Sequence, residues 1–446
     1  MLKARIFIQD NLTSFRMIPL GFIFVILTGA LLLCLPFASR GSDGVGLLDA
    51  VFTSTSATCV TGLVVFDTAT KWTLFGRTVI LILIQIGGLG VVTAGVALLS
   101  LTGIQIGLLP RIAVQDSLSA LQIGGVVRFM RFLIAGTFLF EGIGALCLFP
   151  TFAAQFGPIK GLGHAVFHSV SAFCNAGFDL MGSRQQFSSL TYYSGNILVN
   201  VVIMLLIILG GLGFVTWSDL LSCRFRFKQL RLQSKLILVT TAVLLLLPFL
   251  WFYFLEFRTY SGKERLLYSL FQSVTPRTAG FNTFDYGKMS EGGLLITILL
   301  MITGGAPGST AGGMKVTTAA VLIISARSFL RRKEHVNCFR RRIEPEVIHN
   351  AMTLITVYLL LLLSGTLILA TLEDIPILPS MFECASALGT VGLTTGITSG
   401  LGTVSKIVLI SFMFFGRMGG ITLGYALVSR THTNIGRLPL EKVNVG

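Results

Sequence analysis

Charge is what this sequence has least of. Only 12% of its 446 residues are charged, against 53% hydrophobic, and the mean hydropathy is +0.83. That composition could not cover a soluble fold with polar surface, so the chain reads as an integral membrane protein. Cysteine offers no framework either. The seven cysteines (Cys34, Cys59, Cys147, Cys174, Cys223, Cys338, Cys384) are odd in number and never spaced C-x-x-C, so they read as buried free thiols rather than disulfides or a metal site. Enzyme motifs are missing. GSTAG at Gly308–Gly312 has threonine at its centre, and a nucleophile elbow needs a strand-to-helix turn that a membrane helix cannot supply. GGAPGSTAGGMK lacks the G-K-[ST] ending of a phosphate loop, and neither H-E-x-x-H nor a G-x-G-x-x-G after a strand occurs. The chain is therefore expected not to be an enzyme and to carry no covalent or organic cofactor. No small-residue cleavage site follows the first apolar run, which reads as a first span rather than a signal peptide.

Long apolar runs are what the chain has instead. Ile18–Phe37, Thr78–Leu101, Ile197–Thr216, Leu236–Phe254 and Val347–Leu372 each approach the roughly 20 residues of a spanning helix. Barrel strands alternate and are half as long, so an all-α bundle is expected. Basic segments separate the runs. Lys3, Arg5 and Arg16 precede the first span; Arg111, Arg128 and Arg131 lie in the next intervening segment; Arg224, Arg226, Lys228, Arg231 and Lys235 crowd the third; RSFLRRKEHVNCFRRR at Arg327–Arg342 is the most basic. The positive-inside rule makes these segments cytoplasmic, together with the tail holding Arg430, Arg437 and Lys442. Asp43, Asp67, Glu256, Asp285, Glu373 and Asp374 fall in the alternate, outward segments. Topology and anionic-lipid contact explain the net charge of +15 more simply than nucleic acid does. Counting spans between basic segments gives eight transmembrane helices with both termini inside.

Each outward excursion holds a further apolar run of about a dozen residues, too short to cross. Aligned on a glycine, the runs read AVFTSTSATCVTG (Ala50–Gly62), AVFHSVSAFCNAG (Ala165–Gly177), YSLFQSVTPRTAG (Tyr268–Gly280) and SMFECASALGTVG (Ser380–Gly392). Phenylalanine stands ten residues before the glycine in three (Phe52, Phe167, Phe382) and nine before it in the other (Phe271). Leu63, Phe178, Phe281 and Leu393 follow the glycines, which are 115, 103 and 112 residues apart. The chain is therefore four repeats of one plan, span, half-helix, glycine-ended loop, span, expected to have pseudo-fourfold symmetry around one pore. The second spans rhyme as well, with IGGLG at Ile86–Gly90 and LGGLG at Leu209–Gly213.

A half-helix of about 12 residues rises about 18 Å, enough to enter a bilayer and stop. Irregular backbone at that depth must be buried in protein or line a wet cavity. Four half-helices would point their partially negative C-terminal ends at the axis, favouring a cation there. The glycines allow backbone angles closed to other residues, so that carbonyl oxygens can replace an ion's water shell. No ring of four carboxylates accompanies them, as a side-chain filter would require. Close helix packing is the plain explanation of one such small-residue phrase; four in phase favour a filter.

At these residues the chain resembles the membrane subunit of the Ktr/Trk/HKT superfamily of potassium transporters, nearest the eight-span Ktr type. TPRTAGF at Thr275–Phe281 is the most specific phrase. The resemblance implies a selectivity filter at Gly62, Gly177, Gly280 and Gly392, lined with Val60, Thr61, Asn175, Ala176, Thr278, Ala279, Thr390 and Val391, whose backbone carbonyls hold potassium. Glycine at all four positions implies potassium preference, since serine at the first goes with sodium in this superfamily. Also implied are potassium uptake down the electrochemical gradient, a homodimer, a cytoplasmic ring of nucleotide-binding regulatory subunits on a separate chain, and a bacterial plasma membrane. Sodium as an activator is left open.

In the third repeat LLITILLMITGGAPGSTAGGMKVTTAAVLII carries five glycines and a proline, which a continuous helix would tolerate only at about 1 and about 3 kcal/mol each. The helix should break below the filter. Gly304, Gly305, Ala306, Pro307, Gly308, Ser309, Thr310, Ala311, Gly312 and Gly313 would then form either a movable gate or a static kink, and the resemblance implies the gate. Arg417, at the corresponding depth in FFGRMGG, is a functional candidate as an intramembrane charge. It is expected to contact carbonyls of that loop and repel cations when the path is shut, unless a carboxylate pairs with it. Lys315 would seat the loop from its cytoplasmic end. Glu141, Arg277 and Glu383 are further costly charges, of which Arg277 is expected to brace the loops.

The expected division is 1–16 as N-terminus, 17–105 and 126–221 as the first two repeats, 222–235 as a basic loop, 236–326 as the third repeat, 327–345 as a second basic loop, 346–430 as the fourth repeat and 431–446 as C-terminus. Two other functions stay open on sequence. A secondary cation-coupled solute transporter would more typically show two inverted repeats. An assembly or receptor protein would carry no ion and would tolerate bulky residues at the four glycines.

Overall fold

The computed structural model describes residues 14–41, 44–91, 93–96 and 126–419. Expectations for Arg111, for the ends of the first and fourth repeats and for the C-terminal tail lie outside the described residues, as does most of the N-terminus. What is described is mostly helical. In chain order the helices are α1 (Ser14–Leu33), α2 (Leu47–Thr58), α3 (Leu74–Leu89), α4 (Val126–Phe156), α5 (Pro158–Phe173), α6 (Ile197–Gly211), α7 (Phe214–Ser222), α8 (Leu232–Trp251), α9 (Gly262–Val274), α10 (Glu291–Ile302), α11 (Val316–Leu330), α12 (Pro345–Glu373), α13 (Ile377–Gly389) and α14 (Thr403–Met418). A two-stranded antiparallel hairpin, β1 (Asn337–Cys338) and β2 (Arg341–Arg342), joins α11 to α12.

Among the described residues three helices are long and apolar enough to cross a membrane: Arg128–Phe156, Leu232–Glu256 and Pro345–Glu373. The second of these runs through Pro248, whose missing N–H leaves the Leu244 carbonyl without its helical partner, and ends in a π-turn at Phe252–Glu256. Other apolar helices are cut short, among them Met17–Leu33, Leu74–Leu89, Glu291–Ile302 and Val316–Leu330. The run Ile197–Thr216, read above as one continuous span, is instead α6 and α7 bent by 88°. The break falls at Gly213, whose φ of +84° lies where side chains are disfavoured. Gly90 and Gly419 end α3 and α14 with φ of +86° and +78°, so three second helices stop on the same glycine conformation.

The short helices α2, α5, α9 and α13 dock in sequence around the molecule. α3 packs on α5, α6 on α9, α10 on α13, and α14 returns to α2. Phe52, Phe167, Phe271 and Phe382 each bury a ring there, none more than 3% exposed. The return is also electrostatic: Lys406 at the start of α14 donates to Asp49 in the first turn of α2 at 2.8 Å, and both are largely buried. A carboxylate at a helix N-terminus is favoured by the dipole. Asp49→Asn or Lys406→Met should each lower unfolding stability in detergent by about 1–3 kcal/mol, and the double variant should lose less than the sum; strictly additive losses in that cycle would show that the pair does not couple.

Candidate ion filter and gate

The half-helices end where the glycine loops begin. Two residues before each glycine stands a non-glycine residue in the left-handed region: Val60 (φ 57°), Asn175 (58°), Thr278 (67°) and Thr390 (50°). The glycines follow with φ of 93°, 69°, 79° and 89° at Gly62, Gly177, Gly280 and Gly392. Left-handed backbone costs an L-residue about 1–2 kcal/mol, so four at one register mark backbone held against its preference. Alternation of this kind turns successive peptide planes so that carbonyls gather on one side, the geometry a dehydrated cation needs. Thr61, Ala176, Ala279 and Val391, the residues between, are fully buried.

The four loops meet. A side chain on Gly62 would run into the carbonyl of Ala176, one on Gly177 into that of Ala279, one on Gly280 into that of Val391, and one on Gly392 into that of Thr61. The order is cyclic, each glycine facing the residue before the next, so substitution at any one is opposed both by its φ and by a neighbouring carbonyl.

Below the loops, helix ends leave carbonyls free, and the segment between α10 and α11 satisfies them. Ala306 and Thr310 donate their N–H groups to the terminal carbonyls of α6, Gly211 (2.9 Å) and Gly210 (3.3 Å), while Gly313 donates to Gly416 near the end of α14 (3.1 Å). The Thr310 hydroxyl adds a bond to the Phe173 carbonyl at 3.0 Å. Gly308 accepts from the Phe214 N–H at 2.9 Å, just past the α6–α7 bend. Within the segment Gly304 donates to Met314 (2.7 Å) and Ser309 to Ala306 (2.6 Å). Pro307, Gly308 and Ser309 are its half-buried tip, and Ala311 and Gly312 are buried behind them. Lys315 donates from its amine to the Ala311 carbonyl at 2.8 Å and to Gly312 at 3.5 Å.

Arg417 serves the remaining helix end. Its guanidinium donates to the Thr310 carbonyl and to the carbonyls of Gly87 and Gly88 at the end of α3. A cation there meets the negative end of the helix dipole. Among the described residues no carboxylate pairs with it within 4.0 Å. Arg277 lies three residues before its glycine, where the first two loops have Cys59 and Cys174. It is 6% exposed, reaches Thr241 at 3.4 Å, and its Nε has no partner. Glu383 accepts from Thr394 (2.9 Å) and Thr398, tying α13 to the chain beyond Gly392. Glu141 lies behind the second loop, 3.3 Å from Gln85 and 3.7 Å from the Cys174 thiol.

Residues 18–431 match the family described as TrkH, cation transport protein. The chain belongs to that family. It is 40% identical to the Ktr system potassium uptake protein B of Bacillus subtilis over 450 residues, covering 100% of this chain and 99% of that one. It is 38% identical to the potassium/sodium uptake protein NtpJ of Enterococcus hirae over 451 residues, covering 98% of each. Its fold resembles the crystal structure of the potassium transporter TrkH from Vibrio parahaemolyticus with a TM-score of 0.70 at 22% identity, over 92% of this chain and 84% of that one. TrkH-family proteins are transporters, and this member is not an enzyme.

In this TrkH-family chain one set of residues of the candidate filter escaped the sequence reading, the hydroxyls that tie each loop to its half-helix. Ser56 and Ser386 accept from the N–H of Gly62 and Gly392, both at 3.0 Å. Ser171 donates to the Phe178 carbonyl at 2.7 Å, and Thr275 donates to that of Phe281. The signal was in the alignment: serine six residues before the glycine in three loops and threonine five before it in the third. The third turn is one residue tighter. Ala279 closes on Thr275, four residues back, where Thr61, Ala176 and Val391 close on the serine five back, which also accounts for Phe271 at nine rather than ten. Ser56→Ala and Ser386→Ala should each remove about 1 kcal/mol of loop support; a severalfold drop in potassium-over-sodium selectivity without loss of folded protein is the expected reading, and unchanged selectivity in both would show that the hydroxyls are not needed.

Proposed function

We propose that this chain takes up potassium across a bacterial plasma membrane through a gated, selective pore. The observation that carries the reading is the cyclic contact of four glycine loops, each with a left-handed residue two places before its glycine. Four buried backbone segments then offer their carbonyls to one axis, with four helix C-terminal ends behind them. The relatives named as potassium and potassium/sodium uptake proteins support the choice of ion. Eight membrane helices are arranged as four span, half-helix, span units in pseudo-fourfold array around the pore, a reading supported by the successive docking of the four half-helices. Both termini face the cytoplasm, the chain works as a homodimer, and a separate cytoplasmic ring of nucleotide-binding subunits sets the gate.

A cation leaving the filter meets the segment 304–313 and Arg417. The segment bonds to the ends of α6 and α14 and not to its own helices alone, so it can withdraw as a unit if those helix ends find water instead. Arg417 holds a positive charge on the path while its three carbonyl bonds last, and electrostatic repulsion there keeps cations back.

Purified protein in liposomes, driven by an imposed gradient, should carry potassium and rubidium and pass sodium and lithium at least about tenfold more slowly, a difference of about 1.4 kcal/mol in barrier. Gly62→Ser should erase that preference. Flux only with a second solute present would replace the pore by a coupled transporter, and no flux at all would sink the simple pore and leave either the missing regulatory subunit or the coupled transporter. Arg417→Gln should raise resting potassium flux severalfold with selectivity intact; an unchanged resting flux would remove Arg417 from the gate.

A further inference from the structure

A cavity of about 460 Å³ lies beside the α6–α7 bend, lined by Val215, Thr216, Arg231, Gln233, Ser234 and Arg341. Arginines from two separate elements are among its lining residues. Arg231 is the residue before α8 and Arg341 lies on β2. Gln233 and Ser234 belong to the first turn of α8, which has no side-chain cap, so unpaired N–H groups and the positive helix end face the same region. Thr216 and Ser234 line the cavity while only 1% and 3% exposed. Neither hydroxyl has a hydrogen-bond partner among the described residues. The nearby acid is Asp219, which accepts from the Arg231 N–H at 3.0 Å and stands 3.9 Å from its Nε.

Two arginines, two hydroxyl residues lining the cavity and a helix N-terminus together match a tetrahedral oxyanion. We propose that this cavity binds the phosphate of an anionic phospholipid and that its occupancy biases the gate segment. Exposed Phe225 and Phe227 alternate with Arg224, Arg226 and Lys228 along the chain just before Arg231. Apolar side chains set among basic ones suit the boundary between acyl chains and headgroups, and a soluble ligand would not require them.

The cavity reaches the gate by two short routes. Thr216 stands two residues from Phe214, whose N–H holds the Gly308 carbonyl. Ser234 stands three residues before Ile237, which packs with Ala306 and Val316 in one buried cluster. A phosphate that draws α7, the start of α8 and the hairpin together therefore acts on Gly308 and Ala306, at the tip and flank of the segment.

The gate consequence rests on the transport reading, whereas the binding does not, so both are measured. Protein extracted from vesicles of phosphatidylcholine with phosphatidylglycerol is washed and its retained lipid quantified by mass spectrometry, beside rubidium flux in the mixture and in phosphatidylcholine alone. Retained phosphatidylglycerol, with a severalfold difference in flux between the two membranes, is the expected result. Arg231→Gln with Arg341→Gln should abolish both while leaving potassium-over-sodium selectivity unchanged, which certifies a folded filter. Thr216→Val, which keeps every charge, should weaken retention in the same direction. Equal retention by the double variant, or equal flux in the two membranes, would overturn the proposal. Inorganic phosphate reproducing the flux change in pure phosphatidylcholine would overturn the assignment to lipid. Retention with no flux in any membrane would instead indict the transport reading, which separates the two failures.

Discussion

Every backbone carbonyl that a helix leaves free inside a bilayer has to find a partner, because no water is there to supply one. This chain stops helices at mid-depth again and again, and most of its unusual residues answer that single requirement. The half-helices α2, α5, α9 and α13 end among one another, so their loops are shielded by protein on all sides. The second helices end on Gly90, Gly213 and Gly419, and their last carbonyls are taken up by the segment 304–313 and by Arg417. The segment across the path and the structure that supports it are thus held by one set of hydrogen bonds.

That arrangement explains why a cation is tolerated where an apolar side chain would seem cheaper. Helix ends concentrate partial negative charge, and Arg417 distributes its donors over carbonyls of α3 and of the segment 304–313. Among the described residues its charge is matched by dipoles rather than by a carboxylate. In the proposed gate, a carboxylate would neutralise the guanidinium and with it the repulsion of cations. Arg277 lacks this surround: it finds Thr241 and little else, which fits a side chain filling space behind a loop.

The four glycine loops of the candidate filter were legible in the sequence because their backbone demands are local. Positive φ asks for glycine, close approach asks for small neighbours, and burial asks for the flanking phenylalanines, so the pattern recurs in the letters four times. The break at 304–313 was legible for the same reason, since proline and five glycines leave a helix no choice. The α6–α7 bend was not. Gly210, Gly211 and Gly213 sit in an otherwise strong apolar run without proline, and glycine alone costs a helix only about 1 kcal/mol each. What tips the balance is tertiary: Gly210 must clear the Phe173 carbonyl, and Phe214 gains the Gly308 carbonyl on the far side of the bend. The bracing hydroxyls escaped because serine near a helix end has many ordinary uses, and the second loop uses its serine as donor where the first and fourth use theirs as acceptor.

Four repeats of one sequence plan would by themselves give four similar helix ends. The third departs from the plan twice, by shortening its glycine-loop turn by one residue and by carrying the segment 304–313 in its second helix. Both changes fall on the quarter whose neighbours supply free helix ends, α6 before it and α14 after it. An insertion in one quarter can cross the axis once and reach partners on both sides; the same insertion in all four would collide there. The fourth quarter then needs only a single substitution, arginine where the first two carry the second glycine of the pair, Gly88 and Gly211, to cap the one helix end the segment does not reach. One segment and one arginine thus supply donors to carbonyls at the ends of α3, α6 and α14: Gly87 and Gly88, Gly210 and Gly211, and Gly416.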